Sequence, residues 1–161
     1  MPETVMTKLT KDTFIPFLDT TKDLTLATPT WKRIDKSTIC AITAGEVEEE
    51  NDYICFKSPV TEISANKPEM PQEITLLEGN PMYDFISKEF YDLPTGENCK
   101  VPFLFCFGGM DKRAWQGICT ISSKVLDTVA GKLTFAMKMG GDIQKGTYVI
   151  TDGTPVFTKA V

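Results

Sequence analysis

The first sustained alternation of apolar and polar positions runs from Trp31 to Ala44. Ile34, Cys40 and Ile42 fall on one parity and Ile39 and Ala41 on the other, which predicts a strand over most of the segment, ended by Gly45. Residues 1–30 are rich in threonine and isolated lysines, contain Pro16 and Pro29, and keep no period of two or 3.6; they predict an N-terminal arm lying on the domain or on a neighbour. After Gly45, the run Glu46-Val47-Glu48-Glu49-Glu50-Asn51-Asp52 gathers five acids in seven residues. Mutual repulsion predicts a solvated turn there, with Tyr53-Ile54-Cys55-Phe56 as the return strand. Residues 57–73 carry Pro59, Pro68 and Pro71, each lacking the donor a ladder needs, so a long hairpin loop is expected from about 47 to 73.

Ile74 to Leu77 forms a short strand candidate. Asn80 then offers an N-cap, Pro81 the first helical position, and Met82, Phe85, Ile86, Phe90 and Leu93 recur at three- and four-residue spacing. These predict a helix over 81–93, stopped by Leu93-Pro94. On that helix Asp84 with Lys88, and Glu89 with Asp92, read as outer-face charges. Tyr83, Phe85, Phe90 and Tyr91 cover more than one stripe, so the helix meets either a subunit neighbour or a broad core. Val101–Phe107 reads as a buried strand, and Arg113–Val125 and Leu133–Met139 as amphipathic ones. Thr147–Thr151 and Pro155–Thr158 flank an Asp152-Gly153 hairpin turn.

Composition sharpens the class. Of 161 residues, 21 threonines, 12 isoleucines and nine valines are β-branched, favouring pleated surfaces. The expectation is a mainly β chain, a β-sandwich or barrel with one flanking helix, its single domain spanning 31–161. That length buries a sufficient core without disulfides. The cysteines Cys40, Cys55, Cys99, Cys106 and Cys119 are odd in number and show no metal-ligand spacing, so they read as buried, reduced thiols.

Seventeen basic residues against 22 acidic ones give a net charge of −5, which opposes gripping a phosphate backbone. The absence of histidine removes the commonest general base and metal ligand. No enzyme activity, cofactor or metal is therefore expected. Three fragments echo motifs and fail on context. Gly141-x-x-x-x-Gly146-Thr147 has Lys145 on the wrong side of its second glycine, and Ser64-Ala65-Asn66-Lys67 runs straight into Pro68. The acidic run lacks the central glycine and closing glutamate of a calcium loop. The apolar run Val101–Phe107 is too short to span a bilayer and the N-terminus has no signal-peptide pattern, so no membrane insertion is expected.

The landmarks follow a recognisable order over about residues 28–158. They are Trp31-Lys32-Arg33-Ile34, the acidic run leading into Tyr53-Ile54, the proline-bearing loop, and Gly79-Asn80-Pro81-Met82-Tyr83-Asp84. Gly141-Asp142-Ile143, Gly146-Thr147-Tyr148 and Asp152-Gly153-Thr154-Pro155-Val156 close the series. In this order the chain resembles the tail tube, or major tail, proteins of long-tailed phages, whose fold is shared with type VI secretion tubes. The resemblance implies rings of six copies whose inner strands join into one barrel, stacked into a hollow tube. Its partners would be other copies, the tape-measure protein, tail terminator and distal tail proteins, and DNA in transit. Its location would be the virion, after assembly in the host cytoplasm.

The resemblance further implies an inter-ring stacking loop bearing Glu46, Glu48, Glu49, Glu50, Asp52, Lys57, Glu62, Lys67 and Glu69, and an arm between rings from residues 1–30. Trp31, Tyr83 and Tyr91 are the candidates for the subunit interface; no residue is assigned to the lumen. Six copies at −5 would give −30 per ring, enough to let DNA slide if that charge lines the wall. With no immunoglobulin-like domain following Val161, a bare tube is expected. Deleting Lys57 to Gln72 is expected to leave a folded monomer that cannot stack. The alternatives are a monomeric ligand-binding β-barrel, or the inner tube of a contractile tail or secretion system.

Overall fold

The computed structural model describes residues 3–161 and contains ten strands and one α-helix. They are β1 (Ile15–Asp19), β2 (Trp31–Arg33), β3 (Glu46–Asn51), β4 (Val60–Asn66), β5 (Glu69–Thr75), α1 (Pro81–Asp92), β6 (Lys100–Cys106), β7 (Arg113–Asp127), β8 (Lys132–Met139), β9 (Gln144–Thr151) and β10 (Thr154–Lys159). The long β7 organises them. One edge pairs with β6; the other pairs with β9 at its start and with β8 at its end, so those partners diverge from a shared strand. One half runs β10-β9-β7-β6-β1-β2 and the other adds β8 and β5, all antiparallel. The sheets do not close into a barrel, and the architecture is a β-sandwich with a flanking helix.

Alternation along the strands divides the interior in two. Leu18, Val101, Phe103 and Phe105 face a main core with Met70, Ile74, Leu133, Phe135 and Met137, closed by Met82 and Ile86 of α1. On the opposite side Phe17, Leu104, Cys106 and Ala114 meet Tyr148, covered by Trp31 and Phe157. Burial on both faces explains why β6 reads as an unbroken apolar run. Because side chains fill the interior, the closed ligand-binding barrel is not the structure. Gly146, the second glycine of the supposed phosphate loop, lies in β9 where an added Cβ would come 2.1 Å from the Thr158 carbonyl and 2.8 Å from the Phe157 ring.

The helix forms as its sequence predicts. Asn80 Oδ1 accepts the N–H groups of Met82 and Tyr83 at 3.2 and 3.1 Å, and Leu93 ends the helix in a left-handed conformation at φ 48° before Pro94. Tyr83, Phe85 and Phe90 pack against the main core, so its width answers to a broad core contact. The outer-face placement of Glu89 is corrected: it is only 6% exposed, with Oε1 2.5 Å from Lys22 Nζ and Oε2 unpaired. Lys22 also donates to the Asn98 carbonyl at 2.9 Å.

Several boundaries differ from expectation. Residues 1–30 are not one arm, because Ile15–Asp19 pairs with both β6 and β2, and Pro16 to Asp19 are buried. A five-residue strand covered on both faces shows no alternation to detect. The neighbouring threonines fold a loop: Asp19 Oδ1 accepts from the N–H and hydroxyl of Thr21 and the N–H of Thr30. The strand expected over 31–44 is confined to β2. Beyond it the chain runs beside β5, touching it through isolated bridges at Ser37–Ile74 and Thr43–Glu69.

The acidic run is the strand β3, Tyr53–Phe56 is the tip, and the return strand is β4, inside the segment expected to be irregular. β5 follows in the main sheet with Met70 and Gln72 buried, and Pro71 is tolerated because only two bridges touch its outer edge. Deleting Lys57 to Gln72 would therefore remove core and unfold the chain, reversing the expectation stated above. In β7 a register shift after Ser122, with Ser123 at φ 55°, turns Val125 outward. Among the described residues no helix is long and apolar enough to cross a membrane.

Candidate functional site

The β3–β4 hairpin forms a two-stranded sheet of its own, and nearly all its side chains are exposed. It joins the body at its base. Lys67 N–H donates to the Gly45 carbonyl at 3.0 Å, and Thr43 and Glu69 exchange two backbone bonds of 3.0 Å each. Gly45 has φ 59°, and a Cβ there would lie 2.0 Å from the Lys67 carbonyl oxygen, so the junction requires glycine.

Along the shaft Glu48 faces Ile63, Glu50 faces Thr61 and Asn51 faces Val60. Glu49 sits directly opposite Glu62, a destabilising like-charge pair. Glu62 accepts from Asn51 Nδ2 at 3.2 Å and the Tyr53 hydroxyl at 3.3 Å. That hydrogen bond, with the negative charge of Glu62, pushes the Tyr53 phenol above its ordinary pKa. At the tip Tyr53 and Phe56 pack edge to face with ring centres 6.4 Å apart, while Ile54 is fully exposed.

Charge is distributed unevenly. Residues 46–66 hold six acids, Glu46, Glu48, Glu49, Glu50, Asp52 and Glu62, against Lys57, a net of −5. Removing those six from 22 and that one from 17 leaves 16 of each sign elsewhere. The entire net charge of the protein is thus the charge of the hairpin. The acidity attributed to a lumen wall belongs to this projection.

Of the nine residues assigned to a stacking loop, Glu46, Glu48, Glu49 and Glu50 lie on β3 and Glu62 on β4, with Asp52 and Lys57 around the tip. Lys67 marks the base and Glu69 opens β5 in the body, outside the hairpin. The three interface candidates are not brought together. Trp31 covers the second cluster, Tyr83 packs on the main core, and Tyr91 alone stands free at 85% exposure.

A second feature has no counterpart in the sequence analysis. Leu9 and Phe14 of the N-terminal segment, Cys40 and Ile42, and Phe105 and Phe107 of the body line an apolar groove of about 450 Å³ in which Lys11 is the one charged lining residue. Phe107, one of its lining residues, packs edge to face against Phe105 at 4.9 Å and Trp115 at 4.8 Å between ring centres. Val101–Phe107 was legible as a buried strand, but the lining comes from three segments far apart in sequence.

The cysteines divide along the same line. Cys106 and Cys119 are buried, and desolvation raises both thiols, Cys106 to about 12. Cys40 and Cys55 are exposed, correcting the expectation of burial; Cys40 lies on the groove wall and Cys55 at the hairpin tip. Among the described residues no group of three or more Cys, Asp or Glu side chains is placed to hold a metal ion.

No family model matches the sequence, and no curated protein matches it. Among solved structures, the chain is similar to a chain from the cryo-EM structure of the anti-feeding prophage (AFP) baseplate, 6-fold symmetrised, with TM-score 0.49 and 8% identity. The alignment covers 89% of this chain and 98% of that one. A likeness this loose carries no functional argument.

Proposed function

We propose that this chain is a structural, non-catalytic subunit of a tail-like particle, six copies forming a ring and stacked rings forming a hollow tube. The observation that carries the proposal is the free-standing hairpin. An isolated two-stranded hairpin is marginally stable in water, and this one adds a like-charge pair and an apolar tip where Tyr53 and Phe56 pack on each other and Ile54 stands fully exposed. Such an element has a reason to exist only if another molecule receives it. The sandwich, the single helix beside it and the order of sequence landmarks agree with the tail-tube resemblance.

In this reading the tape-measure protein and then DNA occupy the lumen, and terminator and distal tail proteins cap the ends. The test is sedimentation and negative-stain microscopy of the purified chain beside a variant in which residues 47–65 are replaced by a short Gly-Ser linker. The intact chain is expected to form rings or filaments, and the variant to remain a folded monomer with an unchanged cooperative melt. An intact chain that stays monomeric at every concentration, with tape-measure protein added, would overturn the proposal.

A further inference from the structure

The hairpin tip and the apolar groove are complementary, and within one molecule they do not meet, since none of Tyr53, Ile54 and Phe56 lines the groove. The shaft starts at Gly45, three residues past Ile42 of the groove wall. Strands of six and seven residues carry the tip about 20 Å from that base. We infer that Tyr53, Ile54 and Phe56 of one copy dock into the groove lined by Leu9, Phe14, Cys40, Ile42, Phe105 and Phe107 of a second copy. The inference rests on the self-assembly proposed above and names the two surfaces that meet.

Charge selects this arrangement over its simplest rival. Two hairpins meeting tip to tip would bring two segments of −5 each end to end, with Asp52 of each copy near the contact, and like charges repel. The groove presents the opposite sign. Its one charged lining residue is Lys11, a cation, while the hairpin carries a net −5. Shape and polarity agree: the tip offers two aromatic rings and one isoleucine, and the groove offers an apolar cavity in the size range that receives such groups.

The contact is heterologous, because each copy gives a tip and receives one through a different surface. Head-to-tail contacts of this kind propagate, closing into a ring or continuing as a filament according to the rotation at each step. Seating the tip also removes exposed aromatic surface from water and supports a hairpin that its own ladder holds weakly.

The chain carries its own reporters, Cys55 on the tip and Cys40 on the groove wall. The full-length protein is oxidised with copper–phenanthroline at an assembling concentration; the copper complex accepts the two electrons, and the two thiols lose their protons as the S–S bond forms. A link forms only where Cα atoms approach within about 7 Å, so it reports a residue-level contact. The expected result is a covalent dimer, and a ladder above it, on a non-reducing gel. Both should fall to background in Cys40→Ser and equally in Cys55→Ser, each with wild-type melting. Ile54→Ser should lower the yield without altering the melt. A dimer that survives Cys40→Ser is a tip-to-tip link and overturns the inference. Rings or filaments that form under the microscope without a Cys40–Cys55 link overturn it while leaving the tube function standing. The link without rings or filaments upholds the docking and overturns the tube function, and absence of both overturns both.

Discussion

β6 and β3 are strands of seven and six residues in the same chain, and their surroundings are opposite. Six of the seven β6 residues are buried, with a sheet neighbour on each edge and a hydrophobic cluster on each face. No β3 residue is buried; its single neighbour is β4, and its side chains are mostly carboxylates. β6 is specified by the chain that contains it. For β3 the chain supplies a ladder, a glycine hinge and an apolar tip, and lays no core against either face. A strand too acidic and too exposed to belong to a core is therefore informative about partners.

The comparison breaks most directly in the body. Phe103→Ala empties a fully buried site at the centre of the main core and is expected to cost about 3–5 kcal/mol, read from urea unfolding. A loss well under 1 kcal/mol would mean that the body is not held by packing. A smaller effect is expected at the ion pair between the β1–β2 loop and α1. Lys22→Met strands a buried Glu89 carboxylate; breaking a fully buried pair costs about 3–5 kcal/mol, and the 28% exposure of Lys22 reduces this to about 1–3 kcal/mol. Adding Glu89→Leu should recover most of the loss, which separates a stranded charge from damaged packing. The smallest effect is expected at the tip. Ile54→Ser should shift stability by no more than about 0.5 kcal/mol in the same measurement, because that side chain packs on nothing in its own copy. If it destabilises the monomer as Phe103→Ala does, the hairpin belongs to the fold and the contrast fails.

Elements whose burial differs between faces were legible in the sequence. The cap at Asn80 and the stop at Leu93-Pro94 fixed α1 to within a residue, and the alternation in Leu133–Met139 and the Asp152-Gly153 turn located β8 and the last hairpin. Burial on both faces hid β1, though not β6, whose apolar run was legible as a buried strand, and exposure on both faces hid β3. β1 is covered on both sides and β3 on neither, so both lack alternation, and charge repulsion along β3 suggested a turn where cross-strand pairing holds an extended chain. The solvated character of the acidic run was legible in its charge, although the run was expected as a turn. The groove was not, because Leu9, Cys40 and Phe107 become neighbours only when the N-terminal segment lies across the sheet.

The neutrality of the body has a consequence for solubility. With 16 charges of each sign it would sit close to its isoelectric condition near pH 7, where proteins lose colloidal protection and precipitate. The 21 residues of the hairpin lend the free subunit its dispersing charge. In the proposed docking, each event would lay that charge beside Lys11 of the next copy, so colloidal protection would be withdrawn only from subunits that had already found their place. Until then, the segment proposed to join one copy to the next would also keep unjoined copies in solution.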